Sequence, residues 1–149
     1  MTHPQTIAKE IYQAFRIPMF EPIADGACCI LTLMWCLRMD KLTDYQAIQT
    51  VHEMIYANAI KGDCTVKWYD AVKWLTGRPL RRVDFKNIKS IKNIKERTPV
   101  LFRAENPDDP ENPFFHWVGV EDGEIRFNSL AYSRTIETGK PVECRVLVL

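Results

Sequence analysis

The segment from residue 27 to residue 38 constrains the fold more than any other part of the chain. Ten of its twelve residues, ACCILTLMWCLR, are apolar, so a helix formed by this segment has no polar face. A helix that is apolar all round is buried inside a protein, and this one is too short to span a bilayer. The sequence therefore predicts a buried central helix, and Asp25 or Gly26 is expected to cap its start.

Apolar residues recur at helical spacing on both sides of this central segment. They predict helices over residues 5–16, 43–61 and 65–76. The second of these begins with a capping box formed by Thr43 and Gln46. The stretch between the first helix and the central one contains two prolines and is predicted to be a loop.

The second half of the chain changes to strand patterns. Strands are predicted over the segments PLRRVDF, TPVLFRAE, FFHWVGV, EIRFNSL and ECRVLVL, and a turn or a short helix over KNIKSIKNIKER. Helices followed by strands are typical of an α+β domain, and 149 residues are enough for one domain with its own core. The sequence thus predicts a single domain over 1–149, in which N-terminal helices around a buried central helix pack on a C-terminal antiparallel sheet.

Charge and cysteine content exclude several function classes. The formal net charge is +1, which argues against a protein built as a whole to bind nucleic acid or an anionic membrane. The five cysteines are an odd number, two of them are adjacent, and the N-terminus lacks the pattern of a secretory signal, so free thiols in the cytoplasm are expected. No pair of cysteines or histidines has the spacing of a zinc site, so neither a metal nor another cofactor is predicted.

The adjacent residues Cys28 and Cys29 open the central helix, and this position favours thiol chemistry. The helix dipole and free amide groups at a helix start lower the pKa of a cysteine there. A nucleophilic thiol also needs a base and a group that orients the base. His3 lies near the terminus and His52 in the apolar stripe of its helix, whereas His116 begins a strand after a turn-rich loop, where catalytic groups are often presented. His116 is therefore the candidate base.

The hairpin between the third and fourth predicted strands supplies a polar partner for His116. If residues 121–123 form a three-residue loop, His116 lies directly opposite Asn128, and opposed side chains share a face of the sheet. A two-residue turn shifts the register by one and puts Ser129 opposite His116 instead. Asn128 is the preferred orienter, and the choice between the two registers stays open.

The pieces GACCILTL, HWVGVEDGE and RFNSL together resemble the papain-like cysteine peptidase superfamily. The likeness is strongest to its small bacterial and phage branch around the bacteriocin-leader, or double-glycine, peptidases. In that branch a cysteine opens a central apolar helix, and a later strand begins with histidine, an aromatic residue and valine. After a short turn, a second strand ends in aspartate or asparagine. The resemblance implies a papain-like fold and hydrolysis of a peptide or other amide bond through a thioester acyl-enzyme.

The resemblance also implies roles for three residues. Cys28 corresponds to the nucleophile, because three mostly apolar residues, a hydroxyl residue and leucine follow it, as in that branch. His116 corresponds to the general base and later acid, and Asn128 to the residue that fixes the imidazole tautomer. Cys29, one step round the helix, is expected to face the core. The implied substrate is a peptide or a protein.

The chain departs from the papain-like pattern at the residue expected to donate a hydrogen bond to the oxyanion. Papain-like enzymes place a glutamine shortly before the cysteine, where this chain has Pro22 next to Glu21. Loss of one oxyanion donor costs roughly two to three powers of ten in rate. Either another side chain, such as Gln13 or Tyr12, replaces the donor, or the site is silent. The alternative function is therefore a catalytically silent papain-like binding protein that acts by docking a protein partner.

A run of basic residues between the first two predicted strands offers a third, weaker interpretation. Such a run is usually a solvated face, and contact with nucleic acid is the less favoured reading. The run consists of Lys86, Lys89, Lys92, Lys95 and Arg97.

Overall fold

The computed structural model describes residues 1–149, and helices precede most of the strands along the chain. The helices are α1 (Pro4–Phe15), α2 (Glu21–Gly26), α3 (Cys28–Cys36), α4 (Asp44–Tyr56), α5 (Trp68–Thr76) and α6 (Arg134–Thr138), with a 3₁₀ turn at Pro18–Phe20. The strands are β1 (Arg82–Asn87), β2 (Thr98–Ala104), β3 (Phe114–Glu121), β4 (Glu124–Phe127) and β5 (Lys140–Val148). The predicted α+β class is confirmed. None of the helices has both the length and the apolar character needed to cross a membrane.

The five strands form one sheet in the order β1-β5-β2-β3-β4, and every neighbouring pair is antiparallel. The last strand of the chain therefore lies inside the sheet, between the first two. A bulge between Leu101 and Phe102 interrupts the pairing of β2 with β5. Helices α1–α5 pack around one core on one face of the sheet, whereas Ile136 of α6 packs against the cluster on the other face. Helix α3 lies directly against β3 and β2.

The predicted buried central helix is α3. Ile30, Leu31, Leu33 and Met34 in this helix are fully buried and belong to the larger core cluster. This apolar surface has no stable place except between the other helices and the sheet. Residues 30–35 of α3 are buried, whereas the cysteines at its two ends, Cys28, Cys29 and Cys36, are half-buried.

A second, smaller core covers the opposite face of the sheet. Five buried residues form it: Val100, Phe102, Val118, Val120 and Cys144. Three isoleucines of the predicted turn or short helix between β1 and β2 pack over this cluster, although the segment forms turns and no helix. The spacing of these isoleucines therefore reflects contact with the sheet and not a helical face.

Arg97 departs from the solvated run predicted for it, because only 13% of its side chain is exposed. Its Nη1 donates to the carbonyl oxygen of Trp35 at 2.8 Å, and its guanidinium carbon lies 4.3 Å from the centroid of the Trp35 ring. Asp40 completes the arrangement with an ion pair at 3.0 Å. Arg97 therefore anchors the C-terminal end of α3 to the sheet.

Several predicted helix boundaries are wrong. The predicted loop before the central helix contains α2, which Pro22 does not prevent, since proline is tolerated in the first turn of a helix. Ala27 then occupies the N-cap of α3 with no side-chain cap, so neither Asp25 nor Gly26 caps that helix. Helix α4 ends at Tyr56, earlier than predicted, and α5 begins at Trp68, later than predicted. The capping box of α4 is confirmed.

The turn of the β3–β4 hairpin is two residues long. Asp122 and Gly123 have φ of 52° and 73°, left-handed values that a type I′ turn requires. The preferred three-residue loop is therefore wrong, and the alternative two-residue turn is confirmed at the tip. A bulge then shifts the register once more, so that Gly119 pairs with Phe127, where β4 ends.

Candidate active site

Cys28 lies at the first position of α3 and lines a cleft of about 370 Å³ that His116 also lines. Cys28 is half-buried. The structure thus brings together the two groups that the sequence singled out as nucleophile and base. No hydrogen bond joins the thiol to the imidazole, an open arrangement common in sites without bound substrate.

His116 is held by a hydrogen bond from its Nε2 to the side-chain oxygen Oδ1 of Asn128, at 2.7 Å. The same oxygen accepts from the backbone N–H of Leu130 at 3.1 Å, which fixes the orientation of the amide. Because an amide oxygen only accepts, Nε2 of the neutral imidazole carries the proton. The other ring nitrogen, Nδ1, is then an unprotonated base with no protein partner.

Asn128 contacts His116 from a loop outside the sheet, and not from the predicted position directly opposite His116 in the neighbouring strand. Because β4 ends at Phe127, opposite Gly119, no strand lies beside His116 on that side. The chain after β4 therefore turns past the open edge of β3, and the Asn128 side chain fills the position next to the imidazole. The predicted contact is present, but the register from which it was predicted is wrong.

Gln5 connects the two sides of the site, and sequence reasoning missed it. Its side chain lines the cleft and is only 3% exposed. Its Nε2 donates to the carbonyl oxygen of Ala24 at 3.0 Å, and its Oε1 accepts from Ser129 Oγ at 2.7 Å. Ala24 lies four residues before Cys28, and Ser129 follows Asn128. One buried side chain thus ties the segment before the thiol to the loop that carries the orienting amide.

Neither of the two side chains considered as a replacement for the missing oxyanion donor, Gln13 and Tyr12, reaches the cleft. Gln13 is exposed, and the Tyr12 hydroxyl donates to Glu21 Oε2 at 3.1 Å. Neither residue lines the cleft, whereas Gln5 does. The only signal that distinguishes Gln5 in the sequence is its place near the start of a helix, and this position carries no information about burial.

The pKa values of the thiol and the imidazole shift in opposite directions. Burial raises the pKa of Cys28 above its usual value, although the backbone N–H groups of Trp117, Cys29 and Cys28 itself act against the increase. The predicted lowering is wrong, because desolvation outweighs the helix start. Burial also lowers the pKa of His116, although the bond to Asn128 opposes the decrease. The pair is therefore a neutral thiol and a neutral imidazole near pH 7.

A second cleft, also about 370 Å³, is lined by both Cys28 and Cys29. Cys29 is thus half-buried beside a cleft and not enclosed in the core as predicted. Burial, reinforced by the neighbouring Cys28, raises the pKa of Cys29 well above its usual value. Since the thiolate is the reactive form of cysteine, this burial acts against reaction at Cys29.

The other histidines are bonded to backbone carbonyls outside the pair. His3 Nδ1 lies 3.0 Å from the carbonyl oxygen of Asn128, so it helps to hold the same loop. His52 Nε2 lies 2.9 Å from the carbonyl oxygen of Met19, and His52 lines neither of the two clefts that Cys28 lines. No group of three or more histidine, cysteine or acidic side chains is arranged to hold a metal ion.

The arrangement of thiol, free imidazole nitrogen and orienting amide supports proton transfer from sulfur to Nδ1 during attack on an electrophile. These three groups come from separate parts of the chain: the start of α3, the start of β3 and the loop after β4. Comparison with protein-family models, with curated proteins and with solved structures yields no match to this chain.

Proposed function

We propose that this protein is a papain-like cysteine hydrolase that cleaves a peptide or other amide bond, with Cys28 as nucleophile. One observation carries the proposal: the imidazole of His116, oriented by Asn128 through Nε2, lines the same cleft as the Cys28 thiol. Nδ1 is thereby available to accept a proton, which is the requirement that a histidine must meet to activate a thiol.

The neutral state of both groups determines how the reaction would begin. His116 Nδ1 takes the proton from Cys28 Sγ as the sulfur attacks the amide carbon, so that no thiolate has to form beforehand. The protonated imidazole then gives this proton to the leaving nitrogen as the C–N bond breaks, and a thioester remains. Water then attacks the thioester carbon while His116 accepts a proton from it. The C–S bond breaks, His116 returns the proton to the sulfur, and the carboxylic acid leaves as the Cys28 thiol is regenerated.

Backbone groups are the available donors for the negative oxygen that forms during attack. The N–H groups of Cys28, Cys29 and Trp117 approach the sulfur, and a preorganised N–H directed at the developing charge is the usual form of such stabilisation. In the proposed reaction, one of these backbone N–H groups would take the place of the glutamine that is missing before Cys28.

The test is hydrolysis of a mixed synthetic peptide library, followed by mass spectrometry of the products. The Cys28→Ala variant is expected to lose cleavage, whereas Cys29→Ala, which removes the adjacent thiol, is expected to retain it. Trapping of a thioester on Cys28 at low pH would support the covalent intermediate. If Cys28→Ala cleaves the library as the unaltered protein does, the proposal is wrong.

A second candidate is a silent binding protein on the same scaffold. The raised pKa of Cys28 and the missing glutamine favour it, because both reduce reactivity. The half-buried position of Cys28 beside two clefts favours the hydrolase, since a silent site has no need to leave the thiol accessible. Contact with nucleic acid through the basic run has less support, because Arg97 is engaged by Trp35 and Asp40.

A further inference from the structure

Two cations line the cleft that contains His116, and neither is paired with a carboxylate. Lys9 of α1 and Arg134 of α6 are both exposed at this cleft. Neither takes part in any of the seven salt bridges of the structure. Asp25 is the one acidic residue among those that line the cleft. Two cations and one carboxylate therefore line the cleft beside the candidate base, and Glu137 lies next to it, bonded by the hydroxyl of the lining Tyr132 at 2.6 Å.

The charge of Lys9 acts on the candidate base His116 itself. Lys9 is near enough to His116 for its charge to oppose protonation of the imidazole. A carboxylate bound between Lys9 and Arg134 would offset this repulsion and stabilise the imidazolium that forms during attack. An anionic group on the substrate would therefore assist both binding and proton transfer.

The second cleft has the opposite character. Seven of its ten lining residues are hydrophobic. The rings of Trp68 and Trp117 meet edge to face in its wall, with centroids 6.0 Å apart, and Val66 lies beside them. Water in a recess of this kind is readily displaced by an apolar side chain. Cys28 and Phe115 line both clefts, so the two recesses meet at the thiol.

We infer that the substrate is an acidic-apolar peptide, an inference that rests on the proposed hydrolase function. Such a peptide has a carboxylate on the side of the scissile amide that faces Lys9 and Arg134. On the other side it has a large apolar side chain, which packs against Trp68 and Trp117. Two features support this assignment. The cations have no partner within the protein, and the aromatic wall is continuous with the nucleophile. The carboxylate belongs either to an aspartate or glutamate side chain or to the C-terminus of the peptide.

The experiment uses a random octapeptide library in two forms, one with free and one with amidated C-termini. The products are sequenced by mass spectrometry after incubation with the full-length protein. Cleavage is expected to concentrate at bonds with aspartate or glutamate on one side and leucine, phenylalanine or tryptophan on the other. Cleavage confined to free C-termini would assign the carboxylate to the peptide terminus, and cleavage in both forms would assign it to a side chain.

Charge reversal tests the role of the two cations. Lys9→Glu and Arg134→Glu are each expected to lower kcat/KM for an acidic peptide by about 1.5- to fivefold, the range expected for exposed charge pairs. The same peptide with glutamine in place of its acidic residue is expected to be less affected. Lys73→Glu is the matched control, because Lys73 is an exposed lysine of α5 that lines neither cleft. Raised salt is expected to reduce the preference for acidic peptides.

The outcomes separate this inference from the proposed function. Cleavage without enrichment of acidic residues, or an equal effect of Lys9→Glu and Lys73→Glu, would overturn the inference and leave the hydrolase intact. If the library is not cleaved at all, immobilised Cys28→Ala protein is used to capture peptides from it. Retention of acidic-apolar peptides, reduced by Lys9→Glu, would support the cleft assignment on a silent protein, and retention without sequence preference would overturn it.

Discussion

His116 Nε2 and Asn128 Oδ1 lie 2.7 Å apart, although the two residues are not paired in the sheet. The contact exists because β4 ends early and the chain then passes the open edge of β3. The side chain of Asn128, which is held in place by a hydrogen bond from the Leu130 N–H, thus fixes the tautomer of the His116 imidazole. Nδ1 of the ring makes no hydrogen bond within the protein, and the ring lines the same cleft as Cys28.

Replacement of Asn128 tests this control of the tautomer. Asn128→Ala removes the acceptor for Nε2, so the proton can move to either ring nitrogen and the ring can rotate. We expect kcat/KM to fall by about ten- to a hundredfold, a part of the 10²- to 10⁴-fold contribution of a positioned base. The pH profile should also change, which a purely structural defect would not produce.

The control for this variant is Asn106→Ala, which removes a half-buried asparagine whose side chain bonds only within the loop before β3. It is expected to leave kcat/KM and the pH profile unchanged. An equal loss of activity in the two variants would argue against an orienting role for Asn128.

The pH dependence of Cys28 alkylation follows from the sign of its pKa shift. Burial raises the pKa of the thiol, so at pH 7 the thiolate fraction is smaller than in an ordinary cysteine. The rate of reaction with iodoacetamide is expected to be low at pH 7 and to continue to rise above the pH at which a small free thiol reaches its plateau. Peptide mapping by mass spectrometry measures each cysteine separately, and a plateau below pH 7 at Cys28 would indicate a preformed thiolate–imidazolium pair instead.

Gln5→Ala is expected to weaken both the fold and the site. The substitution leaves Ser129 Oγ and the carbonyl oxygen of Ala24 without their partner in a buried position. The free energy of unfolding should fall by about 1–3 kcal/mol, the usual cost of an unpaired buried polar group. Urea denaturation measures the loss, and Gln13→Ala, which truncates an exposed glutamine of the same helix, should change it by less than about 0.5 kcal/mol. Similar values for the two variants would contradict the role given to Gln5.

Gly119→Ala tests the close approach of α3 to the sheet. A Cβ atom at residue 119 would collide with the ring of Trp35, which packs directly over the strand. Because Trp35 is also stacked on Phe127 and held by Arg97, its ring has little room to move. We expect a loss of about 1–3 kcal/mol in the free energy of unfolding, the usual cost of overpacking.

The matched control for this variant is Gly62→Ala, since no heavy atom lies within 4 Å of an added Cβ at residue 62. Thermal unfolding of the two variants compares the effects directly. Tolerance of alanine at both positions would mean that α3 can move away from β3, and the position of Cys28 would then be less constrained than the packing indicates.

Local patterns in the sequence were sufficient to predict the main elements. The uniform hydrophobicity around residues 30–35 requires burial wherever the segment is placed, and the structure encloses it between helices and sheet. The capping box at Thr43 depends on residues three positions apart, so it forms irrespective of the rest of the fold. The position of the turn at Gly123 is also predicted correctly from local residues. The length of the turn and the bulge beside it are not, because they depend on contacts made by whole strands.

The sequence by itself determined which residues could serve as nucleophile, base and orienter, because residue type and position in an element decide that capacity. Only the tertiary structure decided the environment of these residues. The desolvation that raises the pKa of Cys28, the loop path that brings Asn128 to His116 and the buried bridge of Gln5 all depend on contacts between distant segments. Such contacts leave no periodic pattern in the chain, since each is formed by packing across elements and not within one.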